Sequence, residues 1–234
     1  MSNTARIAEN VAEIRGRIAD AAARSGRPAE AVTLVAVTKY VGLDLIRAVA
    51  AAGCEDLGES RPQQLCQRAA EISGPAIRWH MIGHLQRNKV RRTLPLVCLV
   101  HSVDSLGLVE AVDRVAGELS LRVPVLLEVN LAGEASKDGL DPAGVEPLLA
   151  ELPKYSHVEV RGLMCMAALD GGPETARGSF AALREFRDRL RGQVPEGVCL
   201  DELSMGMSGD YEVAVEEGAT IVRVGSALFA GVAS

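Results

Sequence analysis

Three short stretches of this 234-residue chain carry residue types that do chemistry. The first is Thr33-Leu34-Val35-Ala36-Val37-Thr38-Lys39, an apolar and β-branched run that ends on a lysine. Such a run reads as a buried strand of a parallel sheet. A lysine at its carboxyl end is either an ordinary surface residue opening a loop or an amine in a partly dry pocket, poised to attack a carbonyl. The second stretch, Ser204-Met205-Gly206-Met207-Ser208, offers hydroxyls and backbone amides. Ser208 equally suits the N-cap of a helix with Tyr211, Glu212 and Val213 in its first turn. The third is Arg223-Val224-Gly225-Ser226, a strand end, a glycine and a helix start. Glycine lets a ligand approach the backbone, and open amides at a helix start suit a phosphate. Two-residue alternation puts Arg223 on one face with Ile221 and Gly225. An arginine in an apolar strand needs an acceptor there.

The elements that must position these groups alternate along the chain. Ile7, Val11, Ile14 and Ile18 recur at helical spacing within residues 3–24, which end at Ser25-Gly26-Arg27-Pro28. This predicts an amphipathic helix ahead of the first strand. Strands follow at 33–39, 55–58, 77–82, 96–101, 123–130, 158–166, 200–204 and 220–224. Helices fall at 43–52, 61–72, 84–93, 105–119, 142–151, 173–191 and 208–217, with a short one from 226. Eight β-α units without a glycine-rich dinucleotide fingerprint predict an α/β protein: a (β/α)8 TIM barrel with an extra N-terminal helix. No shift in composition marks a second domain, so residues 1–234 read as one domain. In a barrel, functional groups gather at the carboxyl ends of the strands. Those ends carry Lys39, Glu59, Ser60, Gly83, His84, Ser102, Asp104, Asn130, Ser204, Ser208, Gly225 and Ser226.

Composition narrows the function. A net charge of −6 argues against a general nucleic-acid binder. No run of about 18 apolar residues predicts a membrane span, and the polar N-terminus lacks the apolar core of a signal peptide. Five scattered cysteines without a CxxC pair fit a reduced, cytoplasmic protein. His80 and His84 are separated by Gly83 and a strand-to-helix break, so no metal site is expected from them. His101, Ser102 and Asp104 are sequence neighbours without a GxSxG elbow and do not predict a triad.

Longer stretches carry a resemblance. They include Ala36-Val37-Thr38-Lys39, Gly58-Glu59-Ser60-Arg61, and Trp79-His80-Met81-Ile82-Gly83-His84-Leu85-Gln86-Arg87-Asn88-Lys89. Further on stand His101-Ser102-Val103-Asp104-Ser105, Val129-Asn130, Ser136-Lys137-Asp138-Gly139 and Arg161-Gly162-Leu163-Met164-Cys165-Met166. Leu203-Ser204-Met205-Gly206-Met207-Ser208 and Arg223-Val224-Gly225-Ser226 complete the set. The chain resembles the pyridoxal-phosphate homeostasis protein family, whose barrel is similar to the N-terminal domain of bacterial alanine racemase. The resemblance implies that Lys39 forms a Schiff base with pyridoxal 5'-phosphate (PLP). It implies that the amides of Gly225 and Ser226, with Ser208 and its neighbour Met207, hold the phosphate, and that Arg223 faces the pyridine nitrogen. The chain departs from the family pattern at Ser60, where asparagine is usual, at Pro62 after the arginine, and at Gln64, where an acid is expected.

An arginine beside the pyridine nitrogen disfavours its protonation and weakens the ring as an electron sink. Racemisation also needs a second acid/base on the opposite face of the substrate. In the resembling racemases a separate β-domain supplies it, and none is expected after Ser234. The resemblance therefore implies a cytoplasmic, monomeric PLP-binding protein that serves vitamin B6 homeostasis without strong catalysis of its own. PLP-requiring apoenzymes and amino acids are the expected partners, and nucleic acid and membrane are not. The alternative is a monomeric PLP-dependent, racemase-like enzyme acting on amino acids, with His80 or Tyr211 as second base. A phosphate-sugar barrel enzyme without PLP would need paired strand-end carboxylates, for which Glu59 is the fair candidate.

Overall fold

The computed structural model describes residues 2–72, 77–131, 138–167, 172–195 and 198–232. Ser136 and Lys137 of the quoted motifs lie outside the described residues. Eight parallel strands close in sequence order into a barrel. They are β1 (Thr33–Val37), β2 (Asp56–Glu59), β3 (Arg78–Met81), β4 (Val97–Val103), β5 (Val123–Glu128), β6 (Val158–Met164), β7 (Glu202–Ser204) and β8 (Ile221–Val224). The α/β barrel expected from the alternating pattern is therefore present, with its extra N-terminal helix.

Alternation sorts each strand into two faces. Val35, Leu99, Leu126, Met164 and Ile221 meet inside the barrel, while a larger cluster fills the space between strands and helices. Two glycines allow close approach in the sheet. A Cβ on Gly58 would lie 2.9 Å from Val35 Cγ1, and one on Gly162 would lie 1.9 Å from the Glu202 carbonyl oxygen.

The outer helices are α1 (Asn3–Arg24), α2 (Leu43–Ala51), α3 (Pro62–Glu71), α4 (Val90–Thr93), α5 (Leu106–Glu118), α6 (Pro142–Glu151), α7 (Gly172–Arg191) and α8 (Tyr211–Glu216). Ser2 caps α1 by accepting from the Ala5 amide at 3.2 Å. The buried stripe of α1, Ile7, Val11, Ile14 and Ile18, contributes roughly 1.5–3 kcal/mol per side chain. α1 packs outside the barrel on α2, α8 and the last turn. There Asn10 donates to the carbonyls of Leu228 and Ala230, each at 3.0 Å.

Two expected helices are shorter than their patterns. Residues 84–93 give a loop at His84, a 3-10 turn at Arg87–Lys89 and the single turn of α4, followed by another 3-10 turn at Leu94–Leu96. The shortening is at the N-terminal side, and Pro95 bounds only the far end, because proline lacks the amide that would continue the helix. Residues 208–217 give only α8. Asp210 stands at its N-cap and takes the Met207 amide at 2.5 Å, so Ser208 is not the cap.

Candidate functional site

The mouth is built from the carboxyl ends of β1, β7 and β8. Lys39 follows β1 and is half-buried, with its Nζ 5.1 Å from the ring centre of exposed Tyr40. The backbone beneath it is fastened on both sides. The Thr38 amide donates to the Gly58 carbonyl at 3.0 Å. From α3, Arg68 donates to the carbonyls of Thr38 at 2.7 Å and Val41 at 2.9 Å. Arg68 is itself ion-paired with fully buried Glu59. Glu59 thus faces outward to α3, because alternation from Asp56 and Gly58 puts it on the helix side. It is not a strand-end carboxylate of the mouth, contrary to the expectation.

β8 pairs with β1 so that Val35 lies beside Arg223. Arg223 points inward and is 4% exposed. Its Nη1 donates to Ser204 Oγ at 2.6 Å and its Nη2 to the Cys165 carbonyl at 3.1 Å. It makes no ion pair among the described residues, and burial lowers its pKa. A buried guanidinium of this kind retains donors for an acceptor in the mouth.

Gly225 lies against β1, where a Cβ would meet Val37 Cβ at 3.3 Å. Ser208 Oγ accepts from the Gly225 amide at 3.1 Å and the Ala227 amide at 3.4 Å. Ser208, Gly225 and Ser226 therefore converge, with the Ser208 hydroxyl laid over the turn Ser226–Phe229. The Met207 amide belongs instead to Asp210. This β7–α8 turn needs glycine at Gly206, where φ is +90° and a Cβ would sit 2.5 Å from Ala214 Cβ.

Below the mouth runs a polar chain that the sequence pattern did not disclose. Ser204 Oγ lies 2.8 Å from His101 Nδ1, and His101 Nε2 lies 2.9 Å from His80 Nδ1. His80 Nε2 lies 2.9 Å from Asp56 Oδ1. Arg78 clasps both Asp56 oxygens, at 2.8 and 2.6 Å. Burial pushes Asp56 up, but its bonds from Arg78 and His80 outweigh this and bring it down to about 2. Asp56, His80 and Cys98 hold ligand-type atoms within 4.8 Å of one another, with the Asp56 oxygens already engaged by Arg78. The available signal was weak: an inward alternation of Arg78 with His80, and of Leu99 with His101.

Glu128, at the end of β5, was also missed. It is 4% exposed. Burial pushes it up to about 7; Arg223 pulls the other way, and Asp104 and Asp138 push further up. The alternation Leu126 to Glu128 was the available clue. Other sequence candidates lie elsewhere. His84 is exposed, 3.0 Å from Asp104 and among the charged groups that act on Glu128, and Ser102 donates to the Gly83 carbonyl at 2.6 Å, so neither joins His80 or His101. Tyr211 is buried on α8, with the Arg17 guanidinium of α1 5.6 Å from its ring centre. It is therefore on the helix side and does not reach the mouth. At the departures from the family pattern, Ser60 packs against Gly83, and Gln64 Oε1 is buried without a hydrogen-bond partner among the described residues.

Fold and site together define a closed parallel barrel with a strand-end lysine, a buried arginine and a serine-glycine turn around one mouth. Residues 3–232 match the family described as alanine racemase, N-terminal domain. A pyridoxal phosphate homeostasis protein of Deinococcus radiodurans is 43% identical over 222 residues, covering 94% of this chain and all of that one. The chain belongs to the pyridoxal phosphate homeostasis protein family. Its fold matches PipY of Synechococcus elongatus, solved with PLP bound, at a TM-score of 0.84 and 39% identity, covering 95% of this chain and 99% of that one. Alanine racemase from Bartonella henselae shares the fold at a TM-score of 0.73 and 15% identity, covering 96% of this chain and 58% of the racemase. No helix among the described residues is long and apolar enough to cross a membrane.

Proposed function

We propose that this chain binds PLP at the barrel mouth and serves PLP homeostasis, with Lys39 as the amine that holds the cofactor as a Schiff base. The observation that carries this is the buried Arg223, which makes no ion pair among the described residues and lies under a lysine-bearing strand end. The donor set fits the group. Arg223 offers N–H to a pyridine nitrogen that carries no proton, and the Ser208 hydroxyl and Ser226 amide suit a phosphate. PLP supplies a carbonyl that an amine captures reversibly. Lys39 binds it, Arg223 orients the ring, and the barrel wall of Val35, Val37 and Gly225 limits water from beneath.

A guanidinium at the ring nitrogen keeps that atom unprotonated, which favours holding PLP over using it as an electron sink. Neither His80 nor Tyr211 stands at the mouth as a second base. These points support a carrier over a catalyst, and we read it as a single-domain, monomeric, cytoplasmic protein that passes PLP to apoenzymes or amines. One observation favours a racemase-like alternative: Glu128, a buried acid that titrates near neutrality beside Arg223. Amino-acid turnover by the purified protein that disappears in Glu128→Gln would establish that alternative.

The experiment is borohydride reduction of the PLP-loaded protein followed by peptide mass mapping. A pyridoxyl-phosphate mass on the peptide containing Lys39, with loss of the visible band in Lys39→Ala, is the expected result. A label on another lysine overturns the assignment. In Arg223→Glu the ring nitrogen gains a proton and the band shifts; an unmoved spectrum removes Arg223 from the ring.

A further inference from the structure

We propose that His101 and Ser204 are positioning residues for Arg223, forming the mouth end of one directed hydrogen-bond chain that crosses the barrel interior from Asp56. The proposal rests on the reading that Arg223 faces the cofactor ring. The contacts run Asp56–His80 at 2.9 Å, His80–His101 at 2.9 Å, His101–Ser204 at 2.8 Å and Ser204–Arg223 at 2.6 Å. All five residues are 8% exposed or less.

With both imidazoles neutral, the two ends of this chain fix the direction of every proton. An ionised Asp56 only accepts, so His80 Nε2 must carry hydrogen. A neutral His80 then accepts at Nδ1, so His101 Nε2 donates to it. A neutral His101 accepts at Nδ1, so the Ser204 hydroxyl donates there. Ser204 then presents its lone pairs to Arg223, which only donates. Each ring nitrogen then has one role and each role is met, with Cys98 Sγ also 3.4 Å from His80 Nε2. Burial works against charge on His101, as does the neighbouring Arg223 guanidinium.

This arrangement has a consequence at the mouth. Ser204 Oγ and the Cys165 carbonyl take the two Arg223 terminal nitrogens from below and from β6. They fix the plane of a guanidinium that makes no ion pair among the described residues. A carboxylate in place of Ser204 would neutralise the cation and blunt its effect on the ring nitrogen. A neutral hydroxyl, oriented by an imidazole, holds the arginine and leaves its charge intact. Removing that hydroxyl frees Arg223 to rotate and leaves His101 Nδ1 without its donor.

Two measurements test the proposal. The first needs no cofactor: long-range nitrogen-proton NMR of the wild-type protein without PLP. Both His80 and His101 are expected as neutral Nε2–H tautomers at neutral pH, and an imidazolium or an Nδ1–H tautomer at either ring overturns the chain. The second uses Ser204→Ala, Ser204→Thr and His101→Phe loaded with PLP. Ser204→Ala and His101→Phe are expected to keep the Lys39 label, weaken PLP affinity about tenfold, and shift the visible band in the direction Arg223→Met shifts it. Ser204→Thr is expected to restore both affinity and spectrum. A folded Ser204→Ala with wild-type affinity and spectrum overturns the positioning role. If wild-type Lys39 takes no label, the PLP reading fails, while the NMR result still decides the chain.

Discussion

Arg68 Nη1 donates to the carbonyl oxygen of Thr38 at 2.7 Å, so a helix-borne guanidinium grips the residue immediately before Lys39. The same side chain holds Val41 and pairs with buried Glu59. One arginine therefore ties the loop that carries the amine to the outer face of β2. Breaking a buried pair by deleting one partner strands the other charge, at about 3–5 kcal/mol.

Arg68→Ala should lower stability by about that amount and loosen the 38–41 loop. PLP affinity should fall at least about tenfold, because an amine on a mobile loop loses its alignment. Arg68→Lys should recover little, since one ammonium cannot make the forked contacts. Urea unfolding and PLP titration of both variants check this; an Arg68→Ala protein with wild-type affinity would show that the grip does not serve Lys39.

Glu128 should make the protein less stable as pH rises. Its folded value, about 7, lies above its ordinary 4.5, so the fold prefers the protonated acid. The resulting penalty is absent below about pH 4.5, grows between about 4.5 and 7, and stays constant above. Glu128→Gln should therefore match the wild type near pH 4 and exceed it by up to about 3 kcal/mol near pH 8. Chemical denaturation at both pH values provides the comparison, and a gain confined to low pH would refute the sign.

Gly162→Ala should be among the costliest single-methyl changes in the chain. The new Cβ would lie 1.9 Å from the Glu202 carbonyl oxygen and 2.6 Å from its carbon, both backbone atoms of β7. Strand β7 would have to shift, at a cost of about 3 kcal/mol or more, and Ser204 would shift with it. Gly144→Ala is the contrast: nothing lies within 4 Å of the new Cβ in α6, and alanine should add about 0.5–1 kcal/mol. Thermal melts of the two variants should move in opposite directions.

The sequence by itself determined the order and type of the elements, and with them the barrel. Apolar strands alternated with amphipathic helices, and helix stops such as Gly53 set the spacing; these are local signals. It also marked Lys39, Arg223, Gly225 and Ser208 as candidates. An arginine inside an apolar strand is locally unusual, but a lysine closing a strand and a glycine before a helix are common, and the resemblance of the longer motifs is what implied their roles. Local pattern failed where a side chain had two available partners. Ser208 has the chemistry of an N-cap, but folding set it against the amides of Gly225 and Ala227, 17 and 19 residues away. Glu59 looked like an acid beyond the strand end, but β2 runs through it, and alternation with inward Gly58 turns it toward Arg68. His101 and Ser204, 103 residues apart, meet only because the closed barrel brings the inward faces of β4 and β7 across one narrow interior. Periodicity fixes which way a residue points along its own strand, but the stagger between strands decides which residues share a layer. That stagger is a property of the closed sheet and is encoded in no single segment.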